Sequence, residues 1–217
     1  MNIELLLELL CGVFWIITYI MIILKSFKDN TYGMPIVALV LNLAWEFTFS
    51  FIYPPENFLL AKVIFMTWLT LDFVILYTVL RYGYRDIYCK NIINKQIYIV
   101  SILILISFSI VFMILASNDF SILYENSIYQ AAGFIANLQN LIMSILFVNM
   151  ILRRGNLKGQ SIYIGLFKWI GTLMIAILKF SGILPYTITE LFIIFLIQIF
   201  DILYIYLIYR ISYKKCR

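Results

Sequence analysis

The chain has 217 residues, 64% of them hydrophobic and only 12% charged, where ordinary soluble domains carry about 25% charge. A soluble chain this short cannot hide so much apolar surface, so lipid is its solvent, which excludes a soluble globular enzyme, a nucleic-acid binder and a disordered protein. The net charge is +5 with no histidine, which removes His-ligated metals, haem on an axial His and Ser–His or Cys–His catalytic pairs.

A helix of about 20 apolar residues spans a bilayer. The hydropathy predicts seven spans, at 5–24, 34–53, 59–80, 97–116, 128–152, 161–180 and 187–210. The expected fold is an all-α membrane protein, a seven-transmembrane-helix bundle forming one domain over residues 1–217. Pro35, Pro54, Pro55 and Pro185 fall at or just outside span ends, where a missing N–H costs little. Glu4 and Glu8, rather than a basic segment, begin the first span, so a cleaved signal peptide is not expected. Cys11, Cys89 and Cys216 match no metal or disulfide spacing and read as reduced thiols.

Basic residues fall on alternate connections: Lys25 and Lys28, then Arg81, Arg85, Lys90 and Lys95, then Arg153, Arg154 and Lys158, and finally Arg210, Lys214, Lys215 and Arg217. Glu56, Asp119 and Glu125 occupy the opposite connections. The positive-inside rule then predicts the N-terminus outside and the C-terminus in the cytoplasm. Arg85, Arg153 and Lys214 are expected near one membrane face and Asp119 near the other.

Charges left at membrane depth are functional candidates, because an ionisable residue at a helix centre costs about 3 kcal/mol or more. In span two, Glu46 follows Asn42 by one turn on the same face. It has no cation within a turn, so a neutral carboxylic acid is expected. In span three, Asp72 follows Trp68 by four residues. Span five carries a polar stripe of Gln130, Gly133, Asn137, Asn140 and Ser144 at helical spacing. This stripe fits either interhelical hydrogen bonds or a pocket wall.

Span six carries Lys168, and Gly165, Gly171 and Gly182 in or after it are read as sites of close helix contact. Span seven carries Gln198 and Asp201. Asp72, Lys168 and Asp201 are predicted at one depth, with one of the acids paired to the lysine. Lys179 and Glu190 lie near span ends and read as interfacial residues reaching water. Glu46, Asp72, Asn140 and Asp201 are expected to line one cavity. Most of the 38 aromatic residues face lipid or the interface, while an inward subset can cradle a cation.

This ordered set resembles a known family. Asn42-Leu-Ala-Trp45-Glu46-Phe, Trp68-x3-Asp72 and Tyr82-Gly83 are followed by Gln139-Asn140-Leu-Ile-Met143-Ser144 and Arg153-Arg154. Gly159-Gln160-Ser161, Lys168-x2-Gly171-Thr172 and Asp201 complete it. The pattern is similar to the small integral-membrane terpene cyclases of the paxilline and pyripyropene type, and suggests a bacterial-like member in a cytoplasmic membrane. The resemblance implies metal-independent, acid-initiated cyclisation of a linear, epoxidised polyprenyl chain on a non-terpenoid head group, as in meroterpenoid biosynthesis. It names Glu46 and Asp201 as the essential acids.

Around these two, Asn42, Trp45, Trp68, Asp72, Asn137, Asn140, Ser144, Lys168 and Gln198 are the candidates for binding or supporting the substrate. The expected partners are a lipophilic prenylated small molecule and the bilayer, with no nucleic acid, no cofactor and no metal. The chemistry suits the residues: protonating an epoxide or alkene needs an uncharged acid in a dry pocket, and aromatic faces stabilise the cation that follows. Metal-bound diphosphate chemistry lacks an Asp-Asp pair. A proton-coupled transporter or membrane sensor is the rival reading. A retinal protein is disfavoured, since 187–210 contains no lysine.

Overall fold

A computed structural model of the chain describes residues 3–55, 59–86 and 94–215. Glu56, Cys89, Lys90, Cys216 and Arg217 lie outside the described residues, as does the side chain of Lys214. Among the described residues every regular element is a helix: α1 (Ile3–Asp29), α2 (Ile36–Phe47), α3 (Leu59–Tyr82), α4 (Lys95–Ser121), α5 (Ile128–Arg154), α6 (Ile162–Phe180) and α7 (Ile188–Lys215). A π-helical turn, Thr48–Ile52, continues α2, and short 3-10 turns extend α3 to Asp86 and α4 to Tyr124.

Six of these helices are long and apolar enough to cross a membrane, and the chain is a multi-pass integral membrane protein. The remaining apolar segment, Ile36–Ile52, is a shorter helix. Several helices overrun the apolar runs that predict them, because a helix need not stop where the hydrocarbon does. Local chemistry sets the ends. Pro35 stands at the N-cap of α2, while Asn94, Ser127 and Ser161 accept a backbone N–H at the starts of α4, α5 and α6. Gly155 ends α5 with φ +59°, in the left-handed region that favours glycine.

The helices close a ring in which α1 packs on α3 and α6, α6 on α7, α7 on α5, α5 on α4, and α2 on α3, α4 and α5. Arg154 reaches Asp86 at 3.3 Å, and the Gly159 N–H donates to Asp29 at 2.8 Å. The C-terminal ends of α1, α3 and α5 therefore gather at one end of the bundle. Asp119, near the far end of α4, lies at the other. The outward side of α4, with Leu103, Ile104, Phe108 and Leu115 exposed, is a lipid-facing surface by composition.

Two of the three glycines in or after α6 serve close contact. A Cβ on Gly165 would lie 2.9 Å from Ile205 Cγ1 of α7, and one on Gly171 would lie 3.0 Å from Trp15 of α1. Gly182 does not share this role: it has φ +73° and no neighbour within 4 Å, so a turn conformation explains it. Gly165→Leu is expected to cost about 1–3 kcal/mol by overpacking, read as a lower melting temperature in detergent. Gly133→Ala, which would meet nothing within 4 Å, should leave that temperature close to the parent value.

Candidate active site in the helix bundle

The site is built around Asn42, whose side-chain amide faces two carboxyl groups. Its Nδ2 donates to Glu46 Oε1 at 3.2 Å and to Asp72 Oδ2 at 3.1 Å, and also contacts the Tyr19 hydroxyl. Tyr19 donates to Glu46 Oε1 at 3.1 Å, and Gln139 Nε2 donates to Asn42 Oδ1 at 3.1 Å. Because Gln139 occupies the amide oxygen, the amide nitrogen is left to face the acids. Glu46 Oε2 and Asp72 Oδ1 are buried with no hydrogen-bond partner among the described residues. No lysine or arginine among the described residues comes within ion-pair distance of either acid. Two carboxyl groups so placed, away from water, cannot both carry charge cheaply.

The buried cations sit elsewhere, as two rungs between α6 and α7. Lys168 Nζ pairs with Asp201 Oδ1 at 2.6 Å and donates to Ser144 Oγ at 2.7 Å. One helical stretch further, Lys179 Nζ pairs with Glu190 Oε1 at 2.9 Å and donates to the Pro185 carbonyl at 2.6 Å. Glu190 also accepts from Tyr124 at 2.6 Å and from Asn137 at 2.8 Å. All four charged residues, like Glu46 and Asp72, are at most 2% exposed.

A cavity of about 210 Å³ opens between α1, α3, α5 and α6. Its wall begins with Leu5, Glu8, Leu60, Ala61, Tyr129 and Gln130, all within the first two turns of their helices, and continues to Tyr19, Asn42, Glu46, Asn140 and Met143. Aromatic rings form much of the wall between these levels. Trp45 meets Phe65 edge-on at 4.8 Å between centroids, and Phe65 stacks with Trp68 at 5.7 Å. Two indole N–H groups are tied to backbone carbonyls, Trp45 to Ala132 at 3.0 Å and Trp68 to Gly12 at 3.3 Å, which fixes the ring faces. Cys11, a buried free thiol, also touches the cavity.

The candidate residues therefore divide. Asn42, Trp45, Glu46, Trp68, Asn137 and Asn140 line the cavity. Asp72, Ser144, Lys168, Gln198 and Asp201 are not part of its lining, so Asp72 and Asp201 do not share that surface with Glu46 and Asn140. Lys168 lies 5.6 Å from the Trp15 ring, which separates it from the cavity. Gln198 accepts from the Trp169 indole at 3.0 Å.

Because α3 and its 3-10 extension run on to Asp86, Asp72 falls at mid-helix, held against Asn42. Lys179 and Glu190 do not reach water as interfacial residues; they form an enclosed ion pair, because the α6–α7 connection folds over them. Tyr19 and Gln139 carry the acid network, although neither is among the site residues that the sequence suggests. Tyr19 is one turn from Trp15 and falls in no motif, whereas Gln139 opens the Gln139-Asn140 motif beside the polar stripe.

An integral membrane bundle enclosing an aromatic-walled cavity, with an uncompensated pair of carboxyl groups at its depth, is the class that this fold and site define. The chain belongs to the Pyr4-like transmembrane terpene cyclases, whose family model matches residues 1–215. It is 30% identical over 162 residues to the Pyr4-family terpene cyclase mfmH of Annulohypoxylon moriforme, and 27% identical over 161 residues to the terpene cyclase penB of Penicillium crustosum. Each match covers 74% of this chain and 63% of the relative. A shorter match, 40% identical over 72 residues, joins it to the terpene cyclase pyr4 of Aspergillus fumigatus, covering 33% of this chain and 30% of that protein. The chain thus spans less than two thirds of the length of these relatives. All three come from fungi, and the expectation of a bacterial-like member is not borne out. No solved structure matches the chain.

Removing one partner of a buried ion pair strands the other. Lys168→Met is expected to cost about 3–5 kcal/mol, measured by thermal unfolding in detergent. Adding Asp201→Leu to the same protein should recover most of that loss.

Proposed function

We propose that the protein is a metal-independent terpene cyclase that converts a linear, epoxidised polyprenyl chain bearing a non-terpenoid head group into a ring system. Family membership supports this reading over a transporter or sensor. The observation that carries the mechanism is the acid pair bridged by Asn42 with no cation partner, beside a cavity walled with aromatic rings.

Glu46 is the initiating acid. Held neutral by burial, it transfers its proton to the terminal epoxide oxygen, and the C–O bond breaks at the more substituted carbon. The resulting cation is attacked by the next alkene, and each new ring moves the positive charge along the chain. Trp15, Trp45, Phe65 and Trp68 offer π faces to that charge, while the apolar wall excludes the water that would quench it. A final proton leaves to a base, so the reaction as a whole is an isomerisation and the site regains its proton.

Asn42, oriented by Gln139, and Tyr19 aim the Glu46 carboxyl group, and Asp72 shares their hydrogen bonds. Asp201, which the resemblance pairs with Glu46, is a positioning residue in this scheme. It fixes Lys168, and Lys168 in turn backs the Trp15 ring.

The topology that goes with this is one domain crossing the membrane seven times, with Ile36–Ile52 as the shortest crossing, the N-terminus outside and the C-terminus in the cytoplasm. The charge alternation supports it. In a Cys-free background, Asp119→Cys should react with a membrane-impermeant maleimide from outside intact cells, and Asn156→Cys should not. The reverse labelling would invert the orientation.

Glu46→Gln keeps shape and hydrogen-bonding capacity but removes the transferable proton. It is expected to lower cyclisation of a prenylated epoxide by at least about 100-fold, with folding and substrate binding retained. Undiminished turnover in the folded variant would remove Glu46 from this role.

A further inference from the structure

The mechanism leaves two charged groups on the cavity wall without a task, Glu8 and Lys179, and of these only Lys179 is fully buried. Both buried lysines belong to α6–α7 ion pairs, yet only Lys179 lines the cavity; Lys168 is set behind Trp15. The two lysines are 11 residues apart, about 16 Å along the helix. Lys179 shares its end of the wall with Asn137, Gln130, Tyr129 and Leu184, close to the first turns of α1, α3 and α5. Glu46 lies further along the bundle.

A buried ion pair is a poor source of stability compared with apolar packing, and α6 and α7 are already joined by the Lys168–Asp201 rung. The Lys179 pair is also unusually well tethered. Glu190 accepts from Lys179, Tyr124 and Asn137, so the ammonium is held in one place against the wall. Gln130, beside it, has a side chain with no hydrogen-bond partner among the described residues. A fixed cation would oppose a carbocation formed nearby, but one at the opposite end of the cavity can hold an electron-rich group without that penalty.

We propose that Lys179, held by Glu190, with Asn137 and Gln130 beside it, forms a head-group subsite that binds an oxygen acceptor of phenol or carbonyl type. The prenyl chain then runs along the aromatic wall and presents its far end to Glu46. This inference rests on the cyclase reading for the identity of the chain, while the subsite itself is tested by binding alone. The subsite sets the order of entry: the tail goes in first and the head group stays near the ends of α1, α3 and α5.

The test titrates the detergent-solubilised full chain with 2-farnesylphenol and with farnesylbenzene, which differ only in the phenolic oxygen, and follows the fluorescence of the cavity tryptophans. The parent protein should bind the phenol at least about 10-fold more tightly. Because Lys179→Met alone would strand Glu190, the variant is Lys179→Met with Glu190→Met, which removes both charges. It should lose the preference while binding farnesylbenzene as before. Absence of a preference in the parent, or its survival in the double variant, would overturn the subsite. Turnover of the corresponding terminal epoxides is measured separately. A preference without turnover would count against the cyclase reading and leave the subsite standing, whereas turnover without a preference would do the opposite.

Discussion

One carboxamide holds the centre of this molecule together. The Asn42 side chain touches Tyr19 from α1, Glu46 from its own helix, Asp72 from α3 and Gln139 from α5. Four helices thus meet at a single polar group in a bundle otherwise assembled by apolar contact. In lipid, apolar burial does little to choose one helix arrangement over another, so directional hydrogen bonds carry more of that choice. The same amide determines where the two acids point. Packing and chemistry therefore depend on one side chain, and neither can be varied there without the other.

The bundle separates its charges by task. Acids with no cation stand together near the depth of the cavity, whereas each buried lysine is matched to an acid across α6 and α7. The separation has an electrostatic logic. A lysine beside Glu46 would pull its proton away and leave a carboxylate, and would also repel the cation that the acid creates. Keeping the matched pairs on the far pair of helices retains their role in register without interfering with proton transfer.

Much of the fold was legible because lipid imposes long apolar runs, and prolines and alternating basic residues punctuate them. Depth was less legible. Lys179 and Glu190 stand near the ends of apolar runs, which reads as interfacial, yet they form a buried pair. A signal was present all the same. Lys168 and Lys179 are separated by 11 residues, as are Glu190 and Asp201, which is the register of two antiparallel helices joined by rungs. Tyr19 left no comparable trace, since a tyrosine among 16 acquires meaning only once α1 and α2 are packed, and Gln139 shows in its motif without its role as the partner of Asn42.

The π-helical turn just after Glu46 makes residue count as important there as residue type. The Tyr53 N–H donates to the Thr48 carbonyl five residues back at 2.9 Å, and Thr48, Phe49 and Ser50 are all buried in succession. Phe49 lies one turn on from Trp45, 4.9 Å between centroids, while Phe51 and Ile52 face outward. Shortening this stretch by one residue would leave Asn42 and Glu46 untouched yet roll everything after them around the helix axis. The segment thus behaves as a spacer whose length is tuned, and it ties the shape of the aromatic wall to a number.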